Sequence, residues 1–218
     1  EDDFLLKTFS KKKTFSTYKK TISYGIKYNK LKLLSASPFL EFTWKEKLIK
    51  TKIIGDYNLN NIITSIAVGE YFKVNQKSIQ NTFQNNSFNN NRSELIKTKK
   101  NKIILDAYNA NPSSMEFSIK SFINIESKSP KTLIIGDMLE LGENSQNLHK
   151  ELVEFLKTQK LKTCILVGEI FNEINCDFLK FKTTKSLEDF LKTNPIEKHL
   201  ILIKGSRSLK LENIKRNL

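Results

Sequence analysis

Four polar tips, each set directly behind an apolar run, hold the residues of this sequence that can do chemistry. They are Asp106-Ala107-Tyr108-Asn109-Ala110-Asn111, Gly136-Asp137, Gly168-Glu169 and Lys204-Gly205-Ser206-Arg207. Lys204 and Arg207 offer charge-assisted hydrogen bonds to carboxylate or phosphate oxygens. Glycine at such a tip lets the backbone turn sharply and approach a ligand closely. The first tip adds a carboxylate, a phenol and two amides. It also reads as an Asx-rich turn, because Asn and Asp favour turns, and polar strand ends are ordinary. A Lys-Gly-Ser-Arg tip facing an Asp-Asn-Asn tip is still richer than a chance loop, so a binding site for carboxylate or phosphate groups is the expectation.

The tips have fixed positions only if the apolar runs are strands. The pattern predicts strand 102–106 leading to a helix over about 113–124, opened by Pro112 and a Ser113-x-x-Glu116 capping box. It continues with strand 132–135 and helix 145–159, strand 163–167 and a short helical piece, strand 178–181 and a helix after Ser186. Strand 199–203 and a final helix over 208–217, capped by Ser206, close the series. Strands alternating with helices of this size imply right-handed βαβ units and a mainly parallel sheet. In such a sheet the four tips converge on one edge, where ligands bind. The expected fold class is therefore α/β, with a Rossmann-like domain over 91–218. Upstream, runs rich in Thr, Tyr, Ile and Phe predict strands at 21–24, 32–37, 39–44 and 48–54. Helices follow, with Ile62, Ile63, Ile66, Ala67, Glu70 and Tyr71 on one face and Ile79 with Phe83 on the next. Asn85 to Asn91 reads as a hinge, so residues 1–90 form a separate strand-plus-helix piece.

A chain of 218 residues has room for one large or two modest cores. Its 37 Lys and Arg against 23 Asp and Glu give a net charge of +14, which raises the possibility of a nucleic-acid partner. The lysines are scattered, however, and the densest run is only Lys11-Lys12-Lys13. No stretch combines clustered Arg with aromatics as a nucleic-acid-reading module does, so a specific nucleic-acid binder is set aside. The charge still favours anionic ligands at long range. Cys164 and Cys176 are too few for a disulfide framework or zinc site. No stretch approaches the roughly 20 apolar residues of a membrane span and no signal peptide is visible, so a monomer in a reducing cytoplasm is expected.

Four strings in order, Gly55-Asp56-Tyr57-Asn58-Leu59-Asn60-Asn61, Leu105 to Met115, Gly136 to Gly142, and Lys204 to Arg207, resemble the Mur ligases. The resemblance implies the end of a P-loop-type central ATPase domain (1–90) and the whole C-terminal domain (91–218). It implies ATP-dependent addition of D-alanyl-D-alanine to UDP-N-acetylmuramoyl-tripeptide in peptidoglycan precursor synthesis, with Mg²⁺. It also implies that Asn58 and Asn61 hold the adenine of ATP, Arg92 the nucleotide, and that Asp106 works with Arg92 near the ribose. Tyr57 stands where the family usually has His. On the substrate side it implies Tyr108, Asn109, Asn111, Asp137, His149, Lys204, Ser206 and Arg207. Lys204 and Arg207 would bind the dipeptide carboxylate or phosphate oxygens, and Asn109, Asn111 and Asp137 would orient the amine. His149 would be a substrate-side or supporting residue.

Seven glycines, at 25, 55, 69, 136, 142, 168 and 205, include none placed for G-x-x-x-x-G-K-[ST]. The triphosphate cradle, the metal ligands and the UDP-sugar domain of the family are thus expected outside these residues, and Glu1-Asp2-Asp3 reads as the middle of a longer protein. A sister amino-acid ligase, or a non-catalytic nucleotide-binding module, remains open on the sequence alone.

Overall fold

The computed structural model describes residues 13–16, 21–25, 30–85, 92–159, 161 and 163–218. The opening Glu1 to Leu6, most of the Lys11–Lys13 run and residues 86–91 of the expected hinge lie outside them. The chain divides into two compact units, residues 1–87 and 88–218.

In the first unit a two-stranded antiparallel ribbon, β1 (Lys13–Ser16) and β2 (Thr21–Tyr24), precedes a three-stranded antiparallel sheet. That sheet comprises β3 (Leu31–Ser35), β4 (Phe39–Trp44) and β5 (Lys47–Ile54), in that order. Side chains alternate across a strand, so Leu40, Phe42 and Trp44 of the central strand all enter one core. Two helices, α1 (Leu59–Tyr71) and α2 (Gln76–Asn85), close it with Leu59, Ile62, Ile63, Ile66 and Ile79. Phe83 meets Phe42 edge to face at 6.1 Å between ring centroids.

The second unit is built on six strands in the order β10-β9-β8-β11-β7-β6. Their ranges are β6 Glu94–Lys97, β7 Lys102–Asp106, β8 Lys131–Gly136, β9 Thr163–Val167, β10 Leu179–Phe181 and β11 Leu200–Lys204. All pairings are parallel except that of β6, an antiparallel edge strand. The intervening helices are α3 (Pro112–Asn124), α4 (Ser145–Thr158), α5 (Glu169–Glu173) and α6 (Thr184–Thr193). One face of the sheet buries Ile103, Leu105, Ile134, Ile165, Val167, Ile201 and Ile203 against Leu187 and Leu191 of α6 and the C-terminal Leu211, Ile214 and Leu218. The alternate positions Ile104, Leu133, Ile135, Leu166 and Leu202 are buried as well. Both faces are therefore covered, which is why these strands read as continuous apolar runs. Among the described residues no helix is long and apolar enough to cross a membrane.

Two expectations are corrected. The α3 capping box pairs Asn111 with Ser114, not Ser113 with Glu116: Asn111 Oδ1 accepts from Ser114 N at 2.8 Å, and Ser114 Oγ accepts from Asn111 N at 3.1 Å. Glu116, two residues beyond Ser114, pairs with Lys120 instead. The expected final helix is two 3₁₀ segments, Arg207–Leu209 and Leu211–Asn217, broken at Lys210, whose φ of 52° is left-handed. An α-helix cannot run through such a residue.

Candidate functional site

Register brings the four tips together. Lys204 at the end of β11 lies beside Asp106 of β7 and Ile135 of β8, and Gly136 lies beside Val167. Two glycines allow the backbones to close up: a Cβ on Gly205 would sit 2.9 Å from Gly136 Cα, and one on Gly136 would sit 2.6 Å from a Leu209 methyl.

The floor of this edge is a buried polar layer. Lys204 Nζ donates to Asp106 Oδ2 at 2.7 Å, with Lys204 only 3% exposed. Asp106 also accepts from Ser93 N (3.2 Å), Ser93 Oγ (3.3 Å) and Ser118 Oγ (3.2 Å). A buried ion pair is tolerated only when the remaining lone pairs are satisfied, and here they are. Lys204, expected as a ligand-binding cation, and Asp106, expected as a ribose contact, are hydrogen-bonded to each other inside the protein.

Asp137 and His149 form a second buried pair. The Asp137 carboxylate accepts from Ile170 N at 2.9 Å and Phe171 N at 3.0 Å, at the start of α5. Gly168 makes room, since a Cβ there would come within 2.2 Å of Asp137 Cγ, and its φ of 136° disfavours any side chain. His149 is fully buried. Its Nε2 accepts from Met138 N at 2.9 Å and its Nδ1 lies 2.7 Å from Ser145 O, an arrangement that requires the neutral ring with the proton on Nδ1. Burial pushes the His149 pKa down and the Asp137 pKa up. Both side chains are buried: Asp137 holds the backbone amides at the start of α5 and His149 holds Met138 N in the loop after β8.

Ser206 completes that brace. Its backbone N–H donates to Asp137 O at 3.1 Å and its Oγ accepts from Leu139 N at 2.8 Å. Expected from the sequence to cap a helix, Ser206 makes no side-chain capping bond and instead ties the tip after β11 to the tip after β8. Asn111, the cap of α3, likewise has its side-chain oxygen occupied.

Above this floor opens a cleft of about 710 Å³, lined by Tyr108, Asn109, Leu139, Glu140, Ser206, Arg207, Ser208, Lys210 and Glu212. The Arg92 guanidinium lies 3.8 Å from the Tyr108 ring centre and that of Arg207 at 5.2 Å. A hydrogen bond with Arg92, then the charges of Arg92 and Arg207, hold the Tyr108 hydroxyl below the ordinary tyrosine pKa. Arg92, Asn109 and Arg207 are exposed. Asn109 Oδ1 accepts from Ala110 N at 2.8 Å. Sequence reasoning missed Leu139, Glu140, Ser208, Lys210 and Glu212. Glu140 sat within the Gly136–Gly142 string, but the other three of these polar residues were hidden by the expected helix.

In the first unit Asn58 Nδ2 donates to Ile54 O at 2.8 Å, and Asn58 Oδ1 accepts from Asn61 Nδ2 at 3.0 Å. The two amides thus form a linked pair where β5 passes into α1. The Tyr57 ring folds over Gly55, where a Cβ would meet it at 2.2 Å. Among the described residues no group of three His, Cys, Asp or Glu side chains is placed to hold a metal ion.

The model for "Mur ligase, glutamate ligase domain" matches residues 91–207. The chain is 34% identical over 176 residues to a UDP-N-acetylmuramoyl-tripeptide–D-alanyl-D-alanine ligase of Bacillus subtilis, covering 76% of this chain and 38% of that protein. It is 28% identical over 216 residues to the ligase of the same name from Buchnera aphidicola of Baizongia pistaciae, covering 96% of this chain and 45% of the other. The chain thus spans less than half the length of these relatives. Among solved structures, MurF of Acinetobacter baumannii aligns with a TM-score of 0.69 at 23% identity, over 86% of this chain and 43% of that one. MurF ligase of Thermotoga maritima in complex with ADP aligns with a TM-score of 0.68 at 23% identity, over 86% and 45%.

Proposed function

This chain belongs to the Mur ligase family, and from that premise we propose that it is the part of an ATP-dependent ligase that presents D-alanyl-D-alanine for addition to UDP-N-acetylmuramoyl-tripeptide. The names of its Bacillus and Buchnera relatives support this reaction. The single observation that carries the reading is the make-up of the cleft. Exposed Arg207 sits on a braced strand end, Lys210 lies beside it, and Glu140 with Glu212 supply the opposite charge. A small zwitterion with a carboxylate at one end and an ammonium at the other matches that distribution.

ATP, when bound, supplies activation of the tripeptide carboxylate; what is asked of this chain is positioning of the attacking amine. Arg207 grips the dipeptide carboxylate through two parallel bonds, which a guanidinium can make and an ammonium cannot. Tyr108 holds that guanidinium by its ring face and holds Arg92 in the same way. Asn109 lines the same cleft. In the first unit the internal hydrogen bonds of the Asn58–Asn61 pair fix its amides before a purine arrives; in the second unit Arg92 offers its charge to a nucleotide. The sequence has no G-x-x-x-x-G-K-[ST], and we assign the triphosphate and Mg²⁺ to a segment bearing that loop.

The test is a chimera that joins this chain to the phosphate-loop-bearing part of the Bacillus subtilis relative. Phosphate release from ATP should require both D-alanyl-D-alanine and the tripeptide substrate, and the 218-residue chain alone should release none. Turnover by the chain alone, or a folded chimera indifferent to the dipeptide, would refute the proposal.

A further inference from the structure

Glu212 lines the cleft, yet its Oε2 is shielded from solvent and has no hydrogen-bond partner among the described residues. The other carboxylates of the site show how unusual that is. Asp106 and Asp137 are buried too, and each accepts at least two hydrogen bonds from the protein. Glu140, across the cleft, is exposed and has water to solvate it. A carboxylate oxygen removed from water without a donor is costly, and a structure retains one where the donor comes from outside.

The backbone points the same way. Lys210, two residues earlier, has a φ of 52°, and Glu140 has a φ of 64°. Left-handed conformations are disfavoured for residues with a side chain and cluster at ligand-binding positions. Lys210 is the break that ends the first 3₁₀ segment and sets Leu211 into the core, with Glu212 next along the cleft wall. Without this turn the segment would continue from Arg207 and Glu212 would lie elsewhere.

We propose that Glu212 is the acceptor for the ammonium group of the amine substrate, and so selects a zwitterion over a ligand that carries only a carboxylate. The inference rests on the dipeptide reading above and adds its second anchor. Arg207 takes the carboxylate end and Glu212 the amino end, which fixes the direction of the dipeptide in the cleft. Glu212 is a positioning and specificity residue here. The carboxylate of Glu212 is what distinguishes the dipeptide from a hydroxyl analogue of the same shape.

The experiment uses the chimera with D-alanyl-D-alanine as substrate and D-lactyl-D-alanine, in which a hydroxyl replaces the ammonium, as competitive inhibitor. The native sequence should bind the dipeptide about tenfold or more better than the analogue, the scale of a charge-assisted hydrogen bond. Glu212→Gln should raise the dipeptide KM about tenfold while leaving the analogue's inhibition constant nearly unchanged. Glu212→Asp, which keeps the charge, should retain a preference for the dipeptide. Arg207→Ala should weaken both ligands together. If Glu212→Gln weakens both ligands in parallel, or neither, the inference fails while the dipeptide reading stands. If a folded chimera with the native residues shows no dipeptide-dependent turnover, the reading itself fails and the inference with it.

Discussion

The floor and the rim of the cleft draw on the same strand-end tips and do opposite things. On the floor, Lys204 and Asp106 neutralise each other, and Asp137 and His149 hold backbone groups of neighbouring loops. At the rim, Arg92 and Arg207 spread over Tyr108 and stay exposed. Lys204 and Arg207 are three residues apart in one string, both cationic, yet one is buried and paired and the other is open. A charged residue in a motif therefore has its role set by the direction in which the strand end points it. The floor makes the rim rigid, and the rim meets the ligand.

Breaking the floor should cost the most. Lys204→Ala leaves Asp106 charged, buried and short of its strongest donor, a change worth roughly 3–5 kcal/mol when a buried pair loses one partner. The two serine hydroxyls remain, so the lower end of that range is expected. Thermal unfolding of the second unit should fall by several degrees or more. A melting curve within a degree of the parent would mean that Asp106 finds solvent and the floor is not a closed layer. Gly168→Ala should come next, at about 1–3 kcal/mol, because the added methyl must occupy a strained φ and push into Asp137.

The Asp137–His149 pair makes the floor sensitive to acid. Burial holds the His149 pKa below its ordinary value of about 6.5, and the unfolded chain titrates near that value. Below about pH 6.5 the unfolded state takes up a proton that the folded ring refuses, since protonated Nε2 could no longer accept from Met138. The His149 contribution to stability is thus complete above about pH 6.5 and is lost as pH falls toward the folded pKa. Asp137, whose pKa burial raises, works in the opposite sense, contributing at low pH and losing that contribution as pH rises through its folded pKa. Measured from pH 7.5 down to 5, the denaturant midpoint of the parent should fall relative to that of His149→Gln. Equal slopes in the two proteins would show that His149 is not neutral in the fold.

The strands and their tips were legible in the sequence because a doubly covered parallel sheet demands unbroken apolar runs, as in Leu200 to Ile203. Their convergence then followed from topology. What could not be read was the register that sets Lys204 beside Asp106, since nothing in either string says which cation turns inward. The final segment was misread for a local reason. Leu209, Leu211 and Ile214 all fall within the expected helix 208–217, but the left-handed turn at Lys210 divides them, and lysine carries no warning of such a turn. With that segment went Ser208, Lys210 and Glu212, a third of the cleft lining. The cap of α3 was missed because Asn111 with Ser114 competed with the more familiar Ser-x-x-Glu pattern. Strand β6 went unread because four residues at a sheet edge carry little pattern of their own.

The smallest effect on stability and the most direct test of the account belong to Arg207→Lys in the chimera. As an exposed residue, Arg207 should change folding stability by no more than about 0.5 kcal/mol on replacement. Lysine cannot reproduce two parallel bonds to a carboxylate, so the KM for D-alanyl-D-alanine should rise about tenfold or more. The KM for ATP should stay within about twofold, because a single dipeptide contact carries the loss. The measurement is the pair of KM values together with a melting curve of the same preparation. A raised dipeptide KM with unchanged ATP KM and melting is the predicted result; unchanged dipeptide kinetics, or a loss that follows the melting curve, would contradict the assignment of the cleft.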